Sequence, residues 1–160
     1  MQNILKNKMR KKINLDNLYN LAFEKHIPVD ETCPASIISM SICLSNGKKI
    51  ISLSNEKEDD SKQEYTKLEC FAHEMGHCMT DSFYEGYSPY ELRAKHEHRA
   101  NKWAVNYVIP FPELCQAVKD GHRDIWDLAE YFDVSCSFVE KAINIHSQNG
   151  NVVPPELYAE

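Results

Sequence analysis

The chain of 160 residues is long enough for one domain with its own core, and its 42% hydrophobic and 26% charged residues are ordinary for a globular protein. A formal net charge of −6 argues against nucleic acid as the main ligand. No stretch reaches the roughly 18 to 20 apolar residues that a membrane span requires.

The N-terminal segment is basic. Residues 1–12 contain five Lys or Arg and no acid, and no apolar segment follows them. This composition predicts a basic arm rather than a secretory signal, with contact to nucleic acid as the alternative interpretation. The six cysteines are scattered and form no Cys-x-x-Cys pair, which favours reduced thiols and a cytoplasmic protein.

Hydrophobic periodicity changes along the first third of the chain. Apolar residues at helical spacing predict a first helix over residues 14–26. Between residues 36 and 54 the period is two, as expected for strands. Asn46 and Gly47 then predict a type I′ turn, which would join the two strands as a hairpin.

Capping signals predict the later helices. Ser-Lys-Gln-Glu from residue 61 and Ser-Pro-Tyr-Glu from residue 88 are both capping boxes. The first predicts a helix over residues 61–80. The second, with proline at N1, predicts a helix that ends near residue 108, before Pro110. Shorter helices are predicted over residues 112–119, 124–132 and 136–146.

These elements predict an α+β fold, in which a small antiparallel β-sheet packs on a mainly helical body. The sequence contains no repeat, no low-complexity tract and no Gly/Ser linker. A single domain over residues 13–148 is therefore expected, between the arm 1–12 and a C-terminal tail 149–160.

The chemistry is concentrated in His-Glu-Met-Gly-His, which begins at residue 73. His73 and His77 are four residues apart, so on a helix their imidazoles lie on one face and can share one metal ion. Glu74 is rotated from that face by about 100° and cannot readily be a ligand. It is placed to act as a general base on the attacking water of a metal-assisted hydrolysis. A core stripe is predicted on the opposite side, at Phe71, Met75 and Cys78.

A third protein ligand is expected on the helix that follows. Glu97 is the leading candidate, because small residues at 94, 100 and 104 would let the two helices approach closely. A solvent-facing salt bridge is the usual role of a helical glutamate, however, and four other residues are alternatives as ligands: Asp81, Glu91, His96 and His98. Cys70 lies one turn before His73 and is better interpreted as a core thiol.

Three segments together resemble the ImmA/IrrE metallopeptidases. They are His-Glu-Met-Gly-His from residue 73, Glu-His-Arg-Ala-Asn-Lys-Trp-Ala from residue 97 and Val-Ile-Pro from residue 108. The segment 87–96 is similar to short, phage-type members, and the resemblance covers about residues 25–145. Arg99 departs from the pattern, since many members have an acid there.

The resemblance implies a zincin-like fold in which the active-site helix carries the His-Glu-x-x-His motif. It also implies that His73, His77 and Glu97 hold one Zn²⁺ per chain, with Mn²⁺ as an alternative, and that Glu74 is catalytic. Known members cleave helix-turn-helix repressors, so a protein substrate of that kind is implied as the partner.

Two features of substrate handling are expected from general chemistry. An additional donor to the oxyanion is sought in the aromatic loop 83–90 or at His98. A strand of the hairpin within residues 36–54 is expected either to pair with an extended substrate or to be simply solvated.

A second class of function is suggested by the apolar spacing of residues 125–145, which is typical of a helix-turn-helix. Residues 118–146 contain six acids against three Lys or Arg, whereas a surface that faces phosphates should be basic. The segment is therefore interpreted as a packing motif, and no direct binding of nucleic acid is expected. A non-catalytic metal-binding regulator, acting on a partner or on DNA, is the alternative function.

Overall fold

Helices dominate the computed structural model, which describes residues 12–33, 39–54, 66–154 and 157. The elements in chain order are α1 Leu15–Glu24, β1 Val29–Cys33, β2 Met40–Cys43, β3 Lys49–Ser54, α2 Lys67–Thr80, α3 Tyr90–Val108, α4 Phe111–Lys119, α5 Ile125–Phe132 and α6 Cys136–Gln148. Within these described ranges there are six helices and one small sheet. The predicted α+β class is confirmed.

The sheet is mixed, with β3 at its centre and the order β1-β3-β2. The predicted hairpin is present as the antiparallel pair β2 and β3, in which Ser41 lies opposite Ile51. The prediction of an antiparallel sheet was wrong in one respect, because β1 runs parallel to β3. β1 has the sequence Val-Asp-Glu-Thr-Cys. Its three central residues are polar, so no hydrophobic alternation marks it as a strand.

The turn of the hairpin is not of type I′. Such a turn requires positive φ at two central residues. Here φ is positive at Gly47, at 81°, but not at Asn46. The Gly47 N–H donates to the Leu44 carbonyl at 2.8 Å. A tight turn followed by a left-handed glycine therefore joins the strands.

Two helices begin differently from the prediction. α2 starts after Thr66, whose extended backbone and side-chain hydrogen bond from the Glu69 N–H form the N-cap. α2 as described thus begins at Lys67, and the predicted capping box at residues 61–64 lies outside the described residues. α3 has Pro89 at the N-cap rather than at N1, because the Ser88 hydroxyl accepts a hydrogen bond from Glu85 instead. The other predicted helices are confirmed to within two residues at each end.

The core is built around α2, which packs against α1, α3 and the sheet. Phe71, Met75 and Cys78 are buried as predicted. The helix pair α5 and α6 also packs into this core, mainly through Leu128, Phe132, Phe138 and Val139. Burial of these apolar faces fixes the position of α2 relative to α3 and α6, the helices that surround the candidate site.

A buried carboxylate ties α6 to α2. Glu69 on α2 accepts hydrogen bonds from the backbone N–H and the hydroxyl of Ser135, the N-cap of α6. Burial raises the pKa of Glu69, and the hydrogen bonds from Ser135 oppose that effect. Both carboxylate oxygens of Glu69 therefore accept hydrogen bonds from Ser135, at the start of α6.

The described ranges contain neither a disulfide between the described cysteine side chains nor a helix able to span a membrane. No disulfide joins the five cysteines whose side chains are described, at positions 43, 70, 78, 115 and 136. None of the helices in the described ranges has the length and apolar character needed to cross a membrane.

Candidate metal and catalytic site

The two histidines of the motif lie one turn apart on α2 with their ring nitrogens facing each other. The Nε2 atoms of His73 and His77 are 3.2 Å apart. His77 is buried and His73 is half-buried. The helical spacing thus places two imidazole nitrogens on one face, as the sequence predicted.

The orientation of His77 is set by the chain just after α2. Asp81 ends the helix in the left-handed conformation, with φ at 50°. The carbonyl of the next residue, Ser82, lies 2.7 Å from His77 Nδ1. This contact assigns the ring proton to Nδ1, because a carbonyl can only accept, and it leaves the Nε2 lone pair free for an ion. The sequence did not indicate this role for Ser82.

Glu97 on α3 completes the group. Its Oε2 lies 3.1 Å from His73 Nε2 and its Oε1 lies 3.3 Å from His77 Nε2. Hydrogen bonding to His73, and next to His77, holds the pKa of Glu97 well below its usual range. Burial would lower the pKa of His77, but Glu97 and the Ser82 carbonyl raise it overall.

The spacing of these three residues fits a single metal ion. Ligand atoms about 2.0 to 2.1 Å from a tetrahedral ion lie about 3.3 Å from one another. The Nε2 atoms of His73 and His77 are 3.2 Å apart, and they lie 3.1 and 3.3 Å from the Oε2 and Oε1 atoms of Glu97, respectively. Two imidazoles and one carboxylate form a donor set that leaves one tetrahedral position open. Among the described residues, His73, His77 and Glu97 are the His, Cys, Asp or Glu residues whose ligand atoms lie close enough together to hold one ion.

The other residues considered as third ligands lie elsewhere. The Asp81 side chain is 78% exposed and pairs with Lys49 at 2.6 Å. Glu91 and His98 are exposed on α3. His96 is half-buried, and its ring centroid lies 6.2 Å from that of Tyr84. The structure therefore brings Glu97, and none of these four, next to the two histidines.

Glu74 is buried beside the cluster and points toward the sheet. Its Oε2 accepts a hydrogen bond of 2.7 Å from the hydroxyl of Ser41 on β2. Burial raises the pKa of Glu74, while the hydrogen bond from Ser41 and the nearby histidines lower it. A carboxylate with a raised pKa next to a metal site is suited to take a proton from water.

Ser41 could not be identified from the sequence, because hydrophobic alternation shows which residues of a strand share a face but does not show which face is buried. Ser41 lies opposite the buried Ile51, so its side chain faces α2. The apolar residues of β2, Met40 and Ile42, are 48% and 45% exposed. The polar face of this strand therefore lines the site.

Tyr84, in the aromatic loop 83–90, forms a hydrogen bond with the site. Its hydroxyl donates to Glu97 Oε1 at 2.5 Å. The hydrogen bond with Glu97, together with burial, raises the pKa of Tyr84 to about 12. The loop was among the predicted places for an additional donor, whereas the other, His98, is exposed and away from the cluster.

A helix that presents two histidines and a buried glutamate, faced by a carboxylate from a second helix, defines a metallopeptidase-type site. A family model agrees with this class: Peptidase_M78, the IrrE N-terminal-like domain, matches residues 44–144. Because the match covers more than half of the chain, the protein belongs to this peptidase family. Searches of curated proteins and of solved structures gave no match. The predicted resemblance is thereby confirmed.

Proposed function

We propose that the protein is a zinc-dependent endopeptidase that cleaves a helix-turn-helix repressor at a specific site. The observation that supports zinc chemistry is the His73–His77–Glu97 cluster, in which each imidazole Nε2 lies within 3.3 Å of a Glu97 carboxylate oxygen. His₂Glu is a donor set of catalytic zinc. Mn²⁺ is the alternative metal, since imidazole and carboxylate also bind it.

Glu74 is the proposed catalytic residue. Bound Zn²⁺ supplies a Lewis acid that polarises the scissile carbonyl and acidifies water. The Glu74 carboxylate takes a proton from the attacking water and passes it to the leaving amine. Ser41 holds the carboxylate by its 2.7 Å hydrogen bond, so that one oxygen is fixed and the other is left for water.

The substrate is proposed to lie along β2. This strand is at the edge of the sheet, so one side of its backbone has no partner strand within the described sheet. An extended peptide can add to such an edge through main-chain hydrogen bonds. Because Ser41 on β2 contacts Glu74, a peptide on this edge would run past the proposed base.

The choice of a repressor as substrate is carried by the family resemblance alone. The direct test is to incubate the purified, zinc-loaded protein with the repressor encoded nearest its gene, with and without a chelator. Cleavage that stops on chelation supports the proposal. A repressor that stays intact under conditions where other peptides are cut would exclude this substrate and leave the peptidase in place.

The chemistry is tested with matched substitutions. Glu74→Gln should retain zinc and the fold but lose roughly 10²- to 10⁴-fold in cleavage, because it removes the base. Glu140→Gln, at an exposed position of α6, is the control and should cleave normally. His73→Ala should lose the metal, and one equivalent of zinc retained by that variant would show that the ligand assignment is wrong.

A non-catalytic regulator is the competing function. If Glu74→Gln inactivates the repressor in cells as well as the unchanged protein does, the function is binding rather than cleavage. Binding to DNA by α5 and α6 is not expected from their acidic charge. A gel-shift with random duplex at low salt should show no complex, and salt-sensitive micromolar binding would favour the regulator.

A further inference from the structure

A cavity of about 290 Å³ opens beside the His73–His77–Glu97 cluster. One part of its lining consists of the proposed catalytic machinery. The rest comes mainly from Cys70 on α2, Asn101 on α3, and Phe138 and Lys141 on α6. A cavity of this size, next to the place where a peptide bond would be cut, is suited to hold one side chain of the substrate.

Lys141 brings a positive charge into this cavity. The residue is half-buried on α6, and its ammonium donates to Asn101 Oδ1 at 3.1 Å. No carboxylate pairs with it among the ion pairs of the described residues. An ammonium has three N–H donors, so Lys141 keeps donors available for a ligand.

Asn101 holds this ammonium without neutralising it. Its Nδ2 donates to the Glu97 backbone carbonyl at 2.9 Å, which fixes the amide so that Oδ1 faces Lys141. The Lys141 Nζ also lies 5.8 Å from the centroid of the Phe138 ring. A fixed amide and an aromatic ring therefore position the cation at the cavity wall.

The three carboxylates of the same cavity are already engaged. Glu69 accepts hydrogen bonds from Ser135 at the start of α6. Glu74 accepts from Ser41, and Glu97 contacts both histidines. Lys141 is the lysine of this lining, and no carboxylate lies within ion-pair distance of it among the described residues.

We propose that this cavity binds an acidic side chain of the substrate, next to the scissile bond, through Lys141. A glutamate matches it best, because its methylene groups would contact Phe138 and Cys70 while its carboxylate reaches the ammonium. The proposal rests on the proposed peptidase function and adds a sequence preference to it.

The test begins with a diverse peptide library, digested by the zinc-loaded protein and read by mass spectrometry. The best-cleaved sequence is then synthesised, acetylated and amidated, with Glu, Gln or Lys at the preferred position. We expect kcat/KM to be about 10- to 100-fold higher for Glu than for Lys at one position beside the cut, since like charges in an interface are strongly disfavoured.

Three variants test whether Lys141 causes the preference for an acidic side chain. Lys141→Glu should reverse the order of the Glu and Lys peptides, and Lys141→Gln should remove most of the discrimination. Lys102→Glu makes the same change of charge at an exposed position of α3 that does not line the cavity, and it should cleave like the unchanged protein. Circular dichroism and zinc content verify that each variant is folded.

Binding provides a second readout that does not depend on turnover. With the Glu74→Gln protein, the Glu peptide should bind more tightly than the Lys peptide, and Lys141→Glu added to it should reverse that order. Cleavage with no acidic preference, or a preference that Lys141→Glu leaves unchanged, would overturn the inference while the peptidase function stands. A zinc-loaded protein that cuts no peptide in the library overturns the function itself.

Discussion

Gly76 on α2 lies directly against the backbone of Ala100 on α3. A Cβ atom at residue 76 would be 2.4 Å from the Ala100 carbonyl oxygen, a separation that side chains do not tolerate. Ala100 and Ala104 are both fully buried, while the third predicted small residue, Ala94, is exposed. This close approach of the two helices brings Glu97 within reach of His73 and His77.

The first prediction is that Gly76→Ala separates α2 from α3. Overpacking should cost about 1 to 3 kcal/mol of unfolding free energy, against the roughly 1 kcal/mol that alanine gains over glycine within a helix, so a net loss of up to about 2 kcal/mol is expected. Zinc affinity should also fall, because Glu97 moves away from the histidines. Urea unfolding and zinc titration measure both effects.

Gly86 provides the matched control for this substitution. A Cβ there would meet nothing within 4 Å, and its φ is not in the left-handed range. Gly86→Ala should therefore change neither stability nor zinc affinity by more than a small amount. Equal effects of the two substitutions would show that the helix contact does not control the metal site.

The second prediction concerns the hydrogen bond from Tyr84 to Glu97. Tyr84→Phe removes a donor 2.5 Å from Glu97 Oε1, and partners of this kind orient metal ligands. Zinc affinity should fall about 10-fold, within the 10- to 100-fold range typical of such partners. Tyr87→Phe is the control, because Tyr87 is 86% exposed. If zinc binds both variants alike, Tyr84 does not support the ligand.

Much of the helical scaffold could be predicted, because helices have local signals. The spacing of His73 and His77 gave one shared face on α2. Pro110 marked the end of α3, which stops at Val108. The small residue at position 100 indicated the close contact that brings Glu97 to the site. These features depend on residues near one another in sequence.

The parts that could not be predicted depend on contacts between distant residues. Ser41 reaches Glu74 because β2 packs on α2 with its polar face toward that helix. The parallel strand β1 has little hydrophobic pattern and is defined by pairing with β3. Lys141 and Asn101 are 40 residues apart and meet because α6 packs on α3. No short segment contains such information.

The third prediction assigns a positioning role to Ser41. Ser41→Ala removes the hydrogen bond that holds the Glu74 carboxylate, and kcat should fall about 10-fold, since a bond to a charged group contributes about 1.5 to 3 kcal/mol. Ser41→Thr retains the hydroxyl and suits a strand, so it should keep most of the activity. Zinc content should be unchanged in both. A threonine variant as impaired as the alanine variant would argue for a packing effect.

The last prediction concerns His146, which is fully buried on α6 far along the chain from the catalytic motif. Its Nε2 lies 2.8 Å from the Ile109 carbonyl, so the ring donates there and fastens α6 to the end of α3. Burial lowers the pKa of His146, although the hydrogen bond to Ile109 opposes that shift. The neutral ring is therefore the form that the fold accommodates.

The sign of the pH dependence follows from this lowered pKa. Below the unfolded value of about 6.5, the unfolded chain binds a proton at His146 that the folded chain does not, so acid favours unfolding. His146→Gln should destabilise the fold at pH 8 by about 1 to 3 kcal/mol, because it disturbs a buried hydrogen bond. That difference should shrink between pH 7 and pH 5, since glutamine does not titrate. Urea unfolding at each pH, with His98→Gln at an exposed position as the control, measures it, and a difference that stays constant with pH would contradict the assignment.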